Sequence, residues 1–149
     1  MRMDTASSTH TALLALGVFW EPEYEFSKLP GVIETEVGYT GGTSNDPTYH
    51  NIGDHTEAVK IEFDPHQITY DDILEKFWDI HDPTAEYEPQ FRSIIFYFDE
   101  TQRAIAEQSK ELVQTKYNDP IQTDIIPAGK FYPAEEYNQH HMAKLRGEI

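Results

Sequence analysis

The sequence predicts an α+β fold, a two-layer sandwich in which helices pack on a mixed β-sheet. Some short segments alternate apolar and polar residues with the period of a strand, whereas others repeat apolar residues at helical spacing. These two kinds of segment alternate along the chain, as they do when helices cover a sheet. The 149 residues are 38% hydrophobic and 13% aromatic, enough for one substantial core. We therefore expect one domain.

Four elements are expected in the first half of the chain. The apolar run over 11–17 closes on glycine and is typical of a buried strand. A short helix over 21–29 follows, because Pro22 suits a first helical turn and the apolar side chains share one side. Alternating residues then predict half-exposed strands over 32–37 and 58–63.

In the second half of the chain, helices and strands alternate. The first helix begins with a threonine followed three residues later by an aspartate, which is a capping pattern. A continuous β-rich run is typical of a central strand, and a long helix opening on aspartate follows it. We expect a helix that begins at Thr69, a strand over 93–98, a helix over 99–117, a strand over 121–129 and a helix after Pro133.

The net charge of the chain limits the classes of partner that it can bind. There are 27 acidic residues against 11 basic ones, for a formal net charge of -16. Such a surface repels phosphate backbones and anionic lipids, so we expect neither nucleic acid nor membrane as a partner. The simplest interpretation of the acidic excess is a solvated surface. We also expect the protein to be a monomer.

The cysteine count limits the chemistry. With no cysteine, the chain can form no disulfide, thiolate metal site or thiol-based catalytic cycle of its own. Neighbouring His140 and His141 have the wrong spacing to chelate one metal from a helix face, so we expect no metal site. No apolar run approaches the ~20 residues that span a bilayer. We expect a flexible tail over 1–10, a single domain over 11–149 and a cytoplasmic protein.

Five linked motifs lie in order along residues 11–141. They are GVFWEPEYEFSKLPGVIETEVGYTGG, DPTYHNIGDHTEAVKIEFDP, FWDIHDP, QFRSIIFY and PAGKFYPAEEYNQHH. In this order they resemble the peptide methionine sulfoxide reductase A family. The resemblance implies an α/β roll with a ferredoxin-like core. It also implies reduction of methionine (S)-sulfoxide side chains with no bound cofactor, using thioredoxin or another thiol as reductant.

The same resemblance assigns roles to residues. The family motif is GCFW, so its nucleophilic cysteine corresponds to Val18 here. Phe19 and Trp20 match the aromatic pair that lines the pocket for the substrate methyl group. Glu57 matches the acid that protonates the sulfoxide oxygen, and Tyr49 matches a phenol that hydrogen-bonds to it.

Two further positions and one loop depart from the family pattern. Phe91 stands where the family usually has a second tyrosine, and Glu21 where a small residue is common. The loop before Phe91 is shorter than in many members, and its Tyr87 and Glu86 are candidates to replace part of the missing phenol and loop acid. These changes cluster around one pocket.

Sulfoxide chemistry independently asks for these residue types. The sulfur becomes electrophilic only when its oxygen is hydrogen-bonded or protonated, a task suited to a phenol and to a carboxyl group whose pKa is raised by burial. The attacking group must be a polarisable nucleophile such as a thiolate. Val18 offers only methyl groups, so the nucleophile is missing.

Three functions remain open on the sequence. In the first, the chain keeps the pocket and binds methionine or methionine sulfoxide groups, free or in peptides, without reducing them. In the second, it is a reductase whose natural cysteine at position 18 has been replaced. In the third, the pocket has collapsed around Val18 and the acidic surface binds a basic partner.

Overall fold

The computed structural model describes residues 9–149, and a six-stranded sheet lies at its centre. In chain order the strands are β1 (His10–Leu16), β2 (Val32–Thr40), β3 (Thr56–Phe63), β4 (Ser93–Tyr97), β5 (Asp124–Pro127) and β6 (Tyr132–Pro133). The helices are α1 (Trp20–Ser27), α2 (Tyr70–Asp79), α3 (Glu100–Gln114) and α4 (His141–Leu145), with single 3-10 turns at Pro89–Phe91 and Glu136–Asn138.

The sheet is mixed, with strand order β5-β4-β1-β3-β2-β6. Every neighbouring pair is antiparallel except β4 and β5, which run parallel and are connected through α3. The inner strands β4-β1-β3-β2, with α1 after β1 and α2 after β3, form the βαββαβ arrangement of a ferredoxin-like core. The predicted α+β sandwich on a mixed sheet is therefore confirmed.

Helices α1, α2 and α3 pack on one face of the sheet and enclose the main core. Strand residues reach this core at every second position because side chains alternate between the two faces of a strand. On β3, Val59, Ile61 and Phe63 face the helices and are at most 1% exposed. Glu57 has the same parity, so its carboxyl group faces the helical layer.

The other face carries a smaller apolar cluster. Leu13 and Ala15 of β1 lie there with Phe96 of β4, and the segment over 126–131 covers them with Phe131 packed against the cluster. One side of the sheet is therefore covered by helices and the other partly by an irregular segment.

The predicted caps of the two longer helices are present. Thr69 accepts a hydrogen bond from the N–H of Asp72, and the Asp72 side chain accepts one from the N–H of Thr69, which completes a capping box. Asp99 accepts from the N–H of Gln102 at the start of α3. These local bonds are the reason that both helices begin where the sequence indicates.

The helix predicted after Pro133 is present only in part. Pro133 instead pairs with Gly38 in the short strand β6, and a 3-10 turn and the five-residue helix α4 follow. The Gln139 side chain accepts from the N–H of Val37 and donates to the carbonyl of the same residue. Edge bonds to β2 thus hold this segment, and they are incompatible with one helix.

The remaining differences concern the ends of elements. β1 begins at His10, the last residue of the predicted tail, while residues 1–8 lie outside the described residues. α1 begins one residue earlier and ends two residues earlier than predicted. Within the described part of the chain, no helix has both the length and the apolar character needed to cross a bilayer.

Candidate functional site at the start of helix α1

The corner between β1 and α1 presents Val18 to solvent. Gly17 has φ +98, a left-handed conformation that turns the chain sharply and is costly for residues with a side chain. Val18 is 44% exposed, whereas the next residue, Phe19, is 1% exposed and packs in the main core. The position of the family nucleophile is therefore an accessible point at the helix start.

The carboxyl group of Glu57 lies beneath this corner. Its Oε1 accepts a hydrogen bond from the backbone N–H of Phe19 at 3.1 Å, and Oε2 accepts from the side-chain amide of Gln90 at 2.7 Å. Glu57 is 1% exposed. Burial raises the pKa of its carboxyl, although both hydrogen bonds act to lower it. A buried carboxyl with a raised pKa is thus fixed next to the peptide group that follows Val18.

Trp20 and Tyr49 form an aromatic wall beside the corner. Their ring centroids are 6.0 Å apart and the planes differ by 19°. Both side chains are half-buried. Burial raises the pKa of the Tyr49 phenol, and the negative charge of Glu57 raises it further. None of the described residues forms a hydrogen bond with the Tyr49 hydroxyl, so this donor remains open to a ligand.

The C-terminal segment holds Trp20 in place. The indole N–H of Trp20 donates to Oδ1 of Asn138 at 2.9 Å, and the His141 ring stacks on the indole with centroids 4.0 Å apart. These contacts join residues more than a hundred positions apart in the chain. The motif PAEEYNQHH contains both partners, but no local pattern in the sequence pairs them with Trp20.

Glu135 connects the aromatic wall to the sheet. Its carboxylate accepts from the Tyr39 hydroxyl at 2.8 Å and from the N–H of Tyr49 at 2.9 Å. Burial favours a higher pKa for Glu135, but these bonds outweigh it and lower the pKa. Tyr39 pairs directly with Glu57 across β2 and β3. Glu135 and Tyr39 were not among the predicted site residues, although both lie inside the motifs that carry the resemblance.

The loop before β4 places Gln90 next to Glu57. The carbonyl of Pro89 accepts from the Thr56 hydroxyl at 2.7 Å, which fastens the 3-10 turn to the start of β3. Gln90 follows this anchor and was not among the predicted site residues. Phe91 ends the same turn and is half-buried.

Tyr87 of the same loop bonds within the loop. Its hydroxyl donates to the backbone carbonyl of Asp82 at 2.9 Å. The structure therefore brings Phe19, Glu57 and Gln90 together through direct bonds, with Val18, Trp20 and Tyr49 beside them. Phe91 and Tyr87 are placed in the adjoining loop, and a role for either remains a prediction.

Behind the corner, a second buried carboxyl ties α1 to the C-terminal segment. Glu23 is 1% exposed, and it accepts from the hydroxyl of Thr35 at 3.1 Å and from the N–H of His140 at 2.8 Å. Burial raises the pKa of Glu23. His140 has φ 53, an uncommon left-handed conformation for a residue other than glycine. Glu23 therefore contributes to the position of the neighbouring His141.

The site can supply hydrogen bonds and apolar contact. Glu57 and Tyr49 offer a carboxyl and a phenol, while Trp20 and Val18 offer apolar surface. Among residues 9–149, no three histidine or acidic side chains gather as ligands for a metal ion. The arrangement suits a ligand with a polar oxygen next to an apolar methyl group.

Comparison with known proteins identifies the family. The family model described as peptide methionine sulfoxide reductase matches residues 10–148. A peptide methionine sulfoxide reductase MsrA of Methanococcoides burtonii is 44% identical over 147 residues, covering 91% of this chain and 96% of that protein. The peptide methionine sulfoxide reductase A5 of Oryza sativa is 47% identical over 148 residues, covering 95% of this chain and 58% of the rice protein.

Solved structures agree with the sequence comparisons. Mxr1 from Saccharomyces cerevisiae in its reduced form superposes with a TM-score of 0.86 at 29% identity, over 96% of this chain and 88% of the yeast chain. Methionine sulfoxide reductase A of Corynebacterium diphtheriae gives 0.81 at 31% identity, over 92% and 75% of the two chains. Sequence and fold therefore agree along nearly the whole chain, which belongs to the peptide methionine sulfoxide reductase family.

Proposed function

We propose that this protein binds the methyl sulfoxide or methylthio group of methionine side chains without reducing it. The observation that carries the proposal is the buried carboxyl of Glu57, fixed at 3.1 Å from the N–H of Phe19, the residue after the exposed Val18. The family acts on methionine sulfoxide, and this carboxyl stands at the family's acid position.

The polar half of the proposed site would bind the sulfoxide oxygen. This oxygen carries a partial negative charge and accepts hydrogen bonds. Burial raises the pKa of the Glu57 carboxyl and of the Tyr49 phenol, which favours the proton-bearing form of each group relative to the same group in water. Two donors could therefore converge on one oxygen, and the bonds would be strengthened because the carboxyl lies away from water.

The apolar half would take the methyl group. Trp20 presents an indole held by Asn138 and His141, so little side-chain freedom is lost when a ligand binds. Val18 adds methyl groups where the family has its thiol. A valine at this position favours contact with the ligand's methyl group over attack on its sulfur.

Reduction requires a group that this chain lacks. In thiol-dependent reduction, the thiolate takes the oxygen and becomes a sulfenic acid, and a second thiol reduces that acid with release of water. The chain has no cysteine, and the methyl groups of Val18 have no lone pair to donate. The proposed activity is accordingly recognition alone.

Titration calorimetry with N-acetyl-methionine-(S)-sulfoxide methylamide tests the proposal. We expect millimolar or tighter binding, weakened about tenfold by Trp20→Ala or by Tyr49→Phe, because each change removes one contact worth roughly 1 to 1.5 kcal/mol. Tyr117→Phe, which removes an exposed hydroxyl on α3's C-terminal side, is the matched control. The absence of binding at millimolar ligand contradicts the proposal.

A reductase that lacks only its nucleophile is the second candidate. The intact chain of bonds from Gln90 through Glu57 to Phe19 favours it. Val18→Cys would then restore single-turnover reduction of a methionine-(S)-sulfoxide substrate, with dithiothreitol converting the sulfenic acid back to the thiol. Activity in this variant supports the second candidate. If the Val18→Cys variant is folded but shows no reduction even when Phe91→Tyr is added, the surrounding site no longer supports reduction.

A further inference from the structure

A groove of about 970 Å³ lies between α2 and α3, on a part of the surface that the proposed function does not use. Its walls come from both helices and from the chain that follows α3. The lining residues central to its character are Asp71, Glu75, Trp78, Asp79, Leu112 and Tyr117.

The floor of this groove is apolar and open to water. Leu112 is 64% exposed and Tyr117 is 36% exposed, although both are large hydrophobic side chains. Trp78 and Val113 continue the apolar surface into the core between the helices. Covering such a surface is favourable because roughly 25 cal/mol is gained for each Å² of apolar area removed from water.

Acidic residues line the α2 rim of the groove. Asp71, Glu75 and Asp79 are exposed and stand four residues apart, so they follow one another along a single face of α2. None of the three forms an ion pair or side-chain hydrogen bond within residues 9–149. Like charges at this spacing destabilise a helix, and here no neighbouring cation compensates them.

The two lysines that line the groove do not neutralise this rim. Lys76 bonds to Glu25 on α1, with Nζ 3.0 Å from the carboxylate oxygen. Lys116 lies beyond the end of α3, on the opposite wall. The groove is therefore asymmetric, with an acidic α2 side, an apolar floor and a basic residue on the α3 side.

We propose that this groove binds an amphipathic helical segment of a protein partner that carries basic residues along one edge. The charged edge would lie against Asp71, Glu75 and Asp79, and the apolar side against Leu112 and Tyr117. Basic residues at four-residue spacing in the ligand would match the acidic rim. Anionic lipid, nucleic acid and a second copy of this acidic chain would be repelled.

Fluorescence anisotropy with a labelled peptide tests this proposal. The probe is an alanine-based helical peptide of about 15 residues, with lysines at four-residue spacing and leucines on the adjacent stripe. We expect the peptide to bind to the wild-type protein. The triple variant Asp71→Asn/Glu75→Gln/Asp79→Asn should weaken the affinity about tenfold, because each exposed ion pair contributes roughly a factor of two to the affinity. Leu112→Ser should weaken binding about tenfold as well, through the lost apolar contact.

The matched control is Glu34→Gln/Glu62→Gln/Glu86→Gln, which makes the same change of net charge outside the groove. It should change affinity less than about twofold at physiological salt, where charges more than ~8 Å apart are screened. Equal weakening by both triple variants overturns the proposal, because it shows attraction to acidic surface in general. Equal binding of a peptide with glutamates in place of the lysines overturns it too.

Two further outcomes would overturn the proposal. Sedimentation that shows a dimer lost in Leu112→Ser makes the groove a contact between copies of this chain and overturns the proposal. No binding of the lysine peptide at millimolar concentration also overturns it. All of these variants change exposed side chains except at the half-buried Glu62, and circular dichroism should show an unchanged fold in each.

Discussion

Glu57 is a buried carboxyl whose ionisation opposes folding. Burial raises its pKa above the ordinary value of 4.5, so the folded protein holds this proton at pH values where the unfolded chain has released it. Stability contributed by the protonated form is therefore complete below pH 4.5 and is lost as the pH rises through the folded-state pKa. Glu57→Gln removes this titration. The stability of the wild type relative to the variant should fall with rising pH, by up to about 1.4 kcal/mol per pH unit.

Urea unfolding of both proteins between about pH 4 and pH 8 measures this difference. Glu62→Gln on the same strand is the control, because position 62 faces the side of β3 opposite to Glu57. A difference between wild type and Glu57→Gln that does not change with pH contradicts the expectation. It would mean that the Phe19 N–H and the Gln90 amide compensate the buried charge fully.

Glu23 illustrates a different consequence of burial. Its two oxygens satisfy the Thr35 hydroxyl and the His140 N–H. Glu23→Ala would leave both donors without an acceptor and should destabilise the fold by about 2 to 4 kcal/mol. Glu23→Gln can accept from His140 and donate to Thr35, so its cost should stay within about 1 kcal/mol. Thermal unfolding of the two variants compares them, and equal losses would show that the charge, rather than the hydrogen bonds, matters at this position.

At the scale of elements, strand β6 depends on a glycine in β2. A Cβ at Gly38 would clash with the Phe131 ring and with the backbone carbonyl of Tyr132, which belongs to β6. Gly38→Ala should therefore push β6 from the sheet edge and cost about 1 to 3 kcal/mol. Gly129→Ala is the matched control in the same segment, because a Cβ there meets no atom within 4 Å.

Chemical denaturation measures the stability of both glycine variants, and the Trp20 indole N–H resonance reports on the site. That resonance should shift in Gly38→Ala, because β6 leads directly to Glu135 and Asn138, which contact the aromatic wall. A Gly38→Ala protein as stable as Gly129→Ala would show that Phe131 and β6 can move without loss.

Elements with local signals could be predicted from the sequence, whereas those held by distant partners could not. Helix α2 could be predicted from the capping box of Thr69 and Asp72 and from the helical spacing of its apolar residues. β6 is two residues long and exists because Gly38 lets it approach. The segment after Pro133 was predicted as helix since its own residues allow one, but the bonds of Gln139 to Val37 override that preference.

At the scale of the whole molecule, the sequence likewise predicts the residue types of the site but not the contacts between distant segments of the chain. The family motifs give the positions of Val18, Trp20, Tyr49 and Glu57, and the structure shows direct bonds or ring contacts around them. Asn138 and His141 could not be predicted as partners of Trp20, because their contacts arise only when the C-terminal segment folds across α1. A sequence pattern records residue types, while such contacts depend on the course of the whole chain.

The net charge of -16 is a property of the whole molecule and should make its stability depend on salt. Self-repulsion among excess carboxylates opposes the compact state, whereas the exposed ion pairs of Lys28 with Glu148 and of Arg103 with Glu100 and Glu107 contribute little because water and salt screen them. Screening should therefore remove more repulsion than attraction. Raising NaCl from about 0.01 M to about 0.1 M shortens the screening length from about 30 Å to about 10 Å and should raise the urea midpoint. Sucrose at equal osmolality is the control, because it raises the urea midpoint only through exclusion of the solute from the protein surface and does not screen charges. A midpoint that falls with salt would mean that the exposed ion pairs outweigh the acidic excess.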